Sequence, residues 1–211
     1  EEYFNTVLWT GDASSDKSIS GVGFQPDWVW AKNRSDSNDN QVIDSNRGAG
    51  KILRTNSNGA ELTRSSDVGA GGLQNFESDG FDVHATSTNT NLNDNGELNV
   101  GWCWKANGGT TSSNSDGDIT ATVQANTTAG FSIMTWTSNN ADNQTIGHGL
   151  GAAPEVFWVK IRDATGSWYC YFKEAGATHY LSLNSTGARV DNVIWGDTHP
   201  TSSVITVDTN S

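Results

Sequence analysis

Proline, cysteine and methionine are scarce in this chain, at three, two and one among 211 residues. So few prolines leave the turns to other residues, and 23 glycines together with many Ser, Thr, Asn and Asp supply them. Two cysteines, Cys103 and Cys170, are too few for a disulfide framework. Nothing in their spacing sets a bridge, so two buried free thiols are expected. No apolar run approaches 18 residues, which excludes a membrane-spanning helix. The opening EEYFNTVLW is acidic where a secretion signal is basic. Basic residues are also few: 12 Lys and Arg face 24 Asp and Glu, giving a net charge of −12. Such a surface repels phosphate backbones, so no nucleic-acid partner is expected.

Helical periodicity is missing as well. No stretch of ten residues carries it, and one-turn helices near 59–63 and 187–190 are the most that is expected. What the chain has instead is short runs with alternating apolar and polar residues, bounded by turn residues, and nine tryptophans. With 34% hydrophobic residues, these rings must provide much of the buried area.

The chain also repeats itself. Residues 20–60 laid over 148–188, at a constant offset of 128 without gaps, give 13 identities in 41 positions. SGVGFQPDWVWAKNR lies over HGLGAAPEVFWVKIR, and Gly48-Ala49, Leu53, Asn56-Ser57 and Gly59-Ala60 recur at 176–177, 181, 184–185 and 187–188. Upstream, FNTVLWT recurs as FSIMTWT at an offset of 127. A repeat of this length is a small domain rather than a solenoid turn. The expectation is therefore all-β: two tandem antiparallel β-sandwich domains, jelly-roll or lectin-like, related by internal duplication. Their expected bounds are 1–107 and 119–211, joined by a Gly/Ser/Asn linker at 108–118.

Strands are expected at 4–11, 27–34, 41–45, 51–54, 80–84 and 97–105. In the second half they are expected at 118–124, 131–137, 155–162, 167–173, 179–183 and 203–207. The segment NGELNVGWCWK at 95–105 has no counterpart, because the same offset points beyond Ser211. The second domain is thus expected to lack its last strand, to be met by a continuation of the chain or by a neighbour.

Candidate chemistry is sparse. The two GxGxxP turns, at Gly21-x-Gly23-x-x-Pro26 and Gly149-x-Gly151-x-x-Pro154, precede strands with period-2 alternation, not the helix a dinucleotide fingerprint requires. They are expected to be positive-φ turns. Trp30 with Lys32, and Trp158 with Lys160, share a strand face, so each lysine stem can lie along a ring. His148 heads HGLG where the first copy has Ser20, and a turn role is expected for it. No GxSxG elbow and no spacing that fixes a carboxylate pair is present, so no catalytic residue is assigned. The four histidines are scattered, which disfavours zinc. Asn114, Asp116 and Asp118 put oxygens on one turn that a structural calcium ion would accept, as do Asp94, Asn95 and Glu97, though neither follows the EF-hand loop. No other cofactor is implied. For a glycan site the candidates are Trp168, Tyr169, Tyr171 and Trp195, with the Trp102/Trp104 pair; the competing role for each is core packing. Sequons at Asn33, Asn126, Asn143 and Asn184 are what an Asn- and Thr-rich chain gives by chance.

FNTVLWTG, ISGVGFQPDWVWAKNR, SDGF at 78–81 and GWCWKA at 101–106, with NTTAGFSIMTWT, IGHGLGAAPEVFWVK and YLSLNSTGA in the second half, resemble a family of repeat domains in virion proteins of tailed bacteriophages. The resemblance covers nearly the whole chain. It implies a β-sandwich on a tail fibre, head fibre or capsid decoration, at the virion surface or otherwise extracellular. It further implies a non-enzymatic role in assembly and adhesion, with self-assembly into a homo-oligomer and a host-surface glycan as expected partners. It carries no catalytic residues.

Overall fold

In the computed structural model the described residues are 2–63, 72–85 and 92–209. The chain is all-β, built from antiparallel ladders, with one 3-10 turn at Lys173–Ala175 and no α-helix among the described residues. It divides into two compact units: residues 1–55 with 61–109, and residues 110–211 with 56–60.

In unit 1 the strands are β1 (Phe4–Thr10), β2 (Lys17–Ser20), β3 (Trp28–Asn33), β4 (Gln41–Asp44), β5 (Lys51–Ile52), β6 (Leu62–Thr63), β7 (Gly72–Glu77), β8 (Gly80–His84) and β9 (Leu98–Trp104). One sheet runs β1-β9-β3-β4, a second runs β2-β8-β7, and β5 pairs with β6. Between the first two lies one core. Val7, Trp9, Val29, Ala31, Ile43 and Cys103 enter from one side, and Ile19, Leu73, Phe81 and Val83 from the other. This is the sandwich the alternation predicts, since period-2 strands hide one face each.

Unit 2 contains β10 (Ser112–Asn114), β11 (Ala121–Asn126), β12 (Phe131–Thr135), β13 (Gln144–Gly147), β14 (Val156–Val159), β15 (Tyr169–Phe172), β16 (His179–Ser182), β17 (Val190–Asp191) and β18 (Val204–Val207). They form ladders β10-β11-β12, β13-β18 and β14-β15-β16-β17. Its core gathers Ala121, Val123, Ile146, Phe157, Val159, Tyr171, Trp195 and Ile205.

Pairing recurs between the units at the offset seen in the sequence. Trp28–Asp44, Val29–Ile43, Trp30–Val42 and Ala31–Gln41 pair β3 with β4. Val156–Phe172, Phe157–Tyr171, Trp158–Cys170 and Val159–Tyr169 pair β14 with β15, each displaced by 128. Lys51–Thr63 and Ile52–Leu62 correspond in the same way to His179–Asp191 and Tyr180–Val190. Pro26 and Pro154 precede equivalent strands, and all four glycines of the GxGxxP turns have positive φ, between 71° and 88°. The amides of Gly21 and Gly23 donate to the carboxylate of Asp79 at 3.1 and 2.6 Å, so this turn holds an anion from its own chain.

Several elements differ from expectation. The one-turn helices near 59–63 and 187–190 are instead the short strands β6 and β17, because each lies beside a partner strand that supplies ladder bonds. The 108–118 segment is not a free linker. Gly108 and Gly109 donate to Asp27 in unit 1, and residues 112–114 form β10 against β11. Strands β2, β7 and β13 lie in segments too polar to read as strands. Both cysteines are buried free thiols. Among the described residues no helix is long and apolar enough to cross a membrane.

Candidate functional site: an aromatic groove on unit 1

The site is built by β9 lying between two strands. In LNVGWCW, Asn99, Gly101 and Cys103 turn to the core, and Trp102 and Trp104 turn away from it. Gly101 sits against Trp9, Phe81 and Val7, where a Cβ would lie 3.3–3.5 Å from their side chains, so a small residue lets β9 settle on the core. Strand β3 follows the same alternation: Val29, Ala31 and Asn33 are buried, and Trp28, Trp30 and Lys32 are half-buried on the opposite face. Register then places Trp28 opposite Trp104 and Trp30 opposite Trp102. On the far side of β9, Phe4 of β1 stands opposite Trp104.

The rings meet at angles. Trp30 and Trp102 have centroids 5.7 Å apart and planes at 59°, and Phe4 and Trp104 are 4.7 Å apart at 50°. Between them is an open groove of about 280 Å³ lined by Phe4, Trp30, Asn40, Trp102 and Trp104. Among the described residues no ionised side chain lines it. Phe4 is 40% exposed and, on the same face, Leu8 is 64% exposed.

Polar groups hold this arrangement in place. Asp27, fully buried, accepts from Ser45 Oγ at 2.7 Å and from the amides of Ala106, Gly108 and Gly109 at 2.7, 2.8 and 2.6 Å. It thereby ties the end of β9 to the start of β3, which fixes Trp104 beside Trp28. Asn33 Oδ1 accepts from the amides of Ser35 and Asp36 at 2.8 and 3.0 Å, shaping the turn that leads to Asn40. Lys32 Nζ donates to the carbonyls of Asp36 and Asn38 at 3.2 and 2.6 Å. Its ammonium therefore braces the Asn40 loop. Lys160, at the equivalent position, donates to Ile161 O at 2.6 Å, and burial pushes its ammonium below the usual range.

The glycan candidates of the second half lie elsewhere. Trp168, Tyr171 and Trp195 are 3%, 1% and 0% exposed and sit inside unit 2, so none offers a ring face to solvent. Phe157 stacks on Tyr171 at 4.7 Å and meets Trp195 edge-on at 4.7 Å. Tyr171 OH pairs with His199 Nδ1 at 2.6 Å, and Trp195 Nε1 donates to His179 O at 3.0 Å. The physical reason is burial: these rings fill the core where unit 1 has Val29 and Ile43 at the positions of Phe157 and Tyr171. Tyr169 is half-buried and packs edge-on against Tyr180 at 4.9 Å. None of the four reaches the groove.

The oxygens proposed for calcium are occupied by their own chain. Asp116 N donates to Asn114 Oδ1 at 3.0 Å, and Asn114 Nδ2 donates to Asp116 Oδ2 at 3.1 Å. Asp118 Oδ2 accepts from the amide and hydroxyl of Thr145 at 3.1 and 2.7 Å, which holds its carboxyl below the usual range. Among the described residues no group of three or more His, Cys, Asp or Glu is arranged to hold a metal ion. His148 is fully buried: Nε2 faces Thr201 O at 3.2 Å, and Nδ1 accepts from Leu150 N at 3.1 Å. It closes a turn. Asn33, one of the sequons, is fully buried and closed to glycosylation.

Sequence reasoning named Trp102 and Trp104 but missed Phe4 and Asn40 as their companions. The signal was the pair of alternating-ring segments WVW and GWCW, which become one surface only when strands 70 residues apart are paired.

Over residues 1–211 the chain matches the family described as Domain of unknown function (DUF7483), and it belongs to that family. No curated protein and no solved structure shows significant similarity to it.

Proposed function

We propose that this member of a family of unknown function is a non-enzymatic appendage module, working by adhesion and assembly at a virion surface or another extracellular surface. The observation that carries the reading is the outward aromatic groove of Phe4, Trp30, Trp102 and Trp104. Rings of this size left on the outer face of a sheet, beside exposed Leu8, make an apolar patch of the kind that marks a contact surface. The resemblance to bacteriophage virion repeat domains supports the location. The recurrence of the ladders at one offset supports descent of both units from one duplicated β unit. The test is adhesion: beads coated with the protein should retain bacterial cells or isolated surface polysaccharide, and Trp102→Ala should abolish retention. Release of soluble sugar from polysaccharide would instead favour a carbohydrate-active enzyme.

A second reading, assembly by strand addition, has its own support. Strand β14 ends its sheet, and Val156 upon it is 47% exposed. In unit 1 the equivalent strand β3 lies between β4 and β9. A strand placed alongside β14 would complete the β9-like position by β-augmentation. Sedimentation at rising protein concentration tests whether copies of the chain supply it to one another.

A further inference from the structure

We propose that the groove between Trp30 and Trp102 is a binding site for an uncharged glycan, gripping part of a pyranose chain by its C–H faces, with Asn40 as the polar residue that selects among sugars. This names the ligand class of the surface proposed above and rests on that reading. Four features of the groove point to it.

The first is the walls. Indole and phenyl faces carry negative quadrupole charge, which attracts the weakly positive C–H groups on the apolar face of a sugar ring. Because the rings are inclined at 59° and 50°, they do not cover one another face to face, and all four line the groove. The second is Asn40. Its amide both donates and accepts, which suits hydroxyl groups that do the same. The third is charge. Among the described residues no carboxylate and no basic side chain lines the groove, and the net charge of −12 repels acidic polysaccharides. A cation held by an aromatic cage would draw on enclosing rings and a nearby counter-charge, and this groove is open and uncharged. The fourth is size. About 280 Å³ falls just below the roughly 300–1,000 Å³ of pockets that engulf a whole small molecule, so the groove holds a portion of a longer ligand.

Unit 2 carries a large ring at the same position of the repeat. The position equivalent to Asn40 is Trp168, which is 3% exposed. Asn40→Trp therefore copies into unit 1 a residue that unit 2 buries there.

The experiment titrates the 211-residue protein with maltohexaose, cellohexaose and N-acetylchitohexaose, following tryptophan emission and heat. Polygalacturonate and choline chloride are run alongside. Expected is saturable binding of at least one neutral hexasaccharide with a shift in emission. Affinity should fall at least about tenfold in Trp102→Ala, a loss of about 1.4 kcal/mol or more. Asn40→Trp should abolish binding at an unchanged melting temperature, which guards against a variant that fails to fold. Asn40→Ala should change the rank order of the three sugars. Absence of saturable binding to all three overturns the proposal, as does binding that survives both Trp102→Ala and Asn40→Trp. Preference for polygalacturonate or choline overturns the ligand class. If cells are retained in a Trp102-dependent way but no hexasaccharide binds, the glycan proposal fails and the contact surface stands. If retention ignores Trp102→Ala, both fail.

Discussion

The two units pair equivalent positions at one offset, yet they place their rings differently: unit 1 lines an outer groove with them, and unit 2 packs them inside. The difference is one strand. In unit 1, β9 lies between β1 and β3. In unit 2 the strand equivalent to β1, β12, pairs with β11, and the strand equivalent to β3, β14, is the last of its sheet. Val7 and Trp9, on β1 beside β9, are each 8% exposed, while their equivalents Met134 and Trp136 are half-buried. Trp28 faces Trp104, whereas Val156, at the same place, is 47% exposed. Unit 2 spends its rings inward, on Phe157, Tyr171 and Trp195, and unit 1 spends four tryptophans outward. A sheet face gains an aromatic groove when two strands bring alternating rings into register; one such strand leaves only a row of side chains.

The largest effects should separate inward from outward rings. Trp195→Ala, emptying a fully buried position, is expected to cost about 3–5 kcal/mol in urea unfolding. Trp30→Ala, on the half-buried outer face, should cost clearly less. Equal losses would mean that the outer rings are part of a covered core. Next comes the pair at positions 27 and 155, which are equivalent by offset. Asp27→Ala leaves the buried Ala106 amide and the exposed Gly108 and Gly109 amides without their acceptor and should cost about 2 kcal/mol. Glu155, exposed and paired with Lys173 at 2.9 Å, should show no measurable shift in Tm when changed to Ala.

The pH response should also distinguish the units. Burial pushes the His148 imidazole below its ordinary value, so the folded state prefers it neutral. The unfolded chain takes up that proton near pH 6.5, so the stability of unit 2 is fully present above about pH 6.5 and falls as pH drops below it towards the folded value. Ser20 stands at this position in unit 1, so His148→Asn should flatten the acid limb of unit 2 unfolding without altering that of unit 1. The smallest effect is on the thiols. Burial raises Cys103 to about 12 and Cys170 to about 11, so both should resist a thiol reagent at pH 8 until the chain unfolds. Rapid labelling of Cys103 in the folded protein would show that β9 lifts away from β1 and β3.

Much of the fold was legible because alternation and repetition are written into the residues. WVWAKN and VFWV, FNTVLWT and FSIMT read as strands from their period alone. Strands β2 and β13 were hidden, because KSIS and QTIG carry one apolar residue each and owe their pairing to β8 and β18. The site was legible in halves. Trp102 and Trp104 stood out, but Asn40 gains meaning only from the fold, and Tyr171 and Trp195 could be sorted from Trp102 only by which face of a strand the core occupies. Four tryptophans on two strands do not announce that those strands are neighbours.

Amide hydrogen exchange resolved to single residues, comparing 28–33 with 156–159, tests most directly that one strand separates the two units. Slow exchange is expected throughout β3, which has a neighbour on each side, and exchange at least about tenfold faster at the alternate β14 amides that point away from β15. Strong protection of every amide in both strands would contradict it.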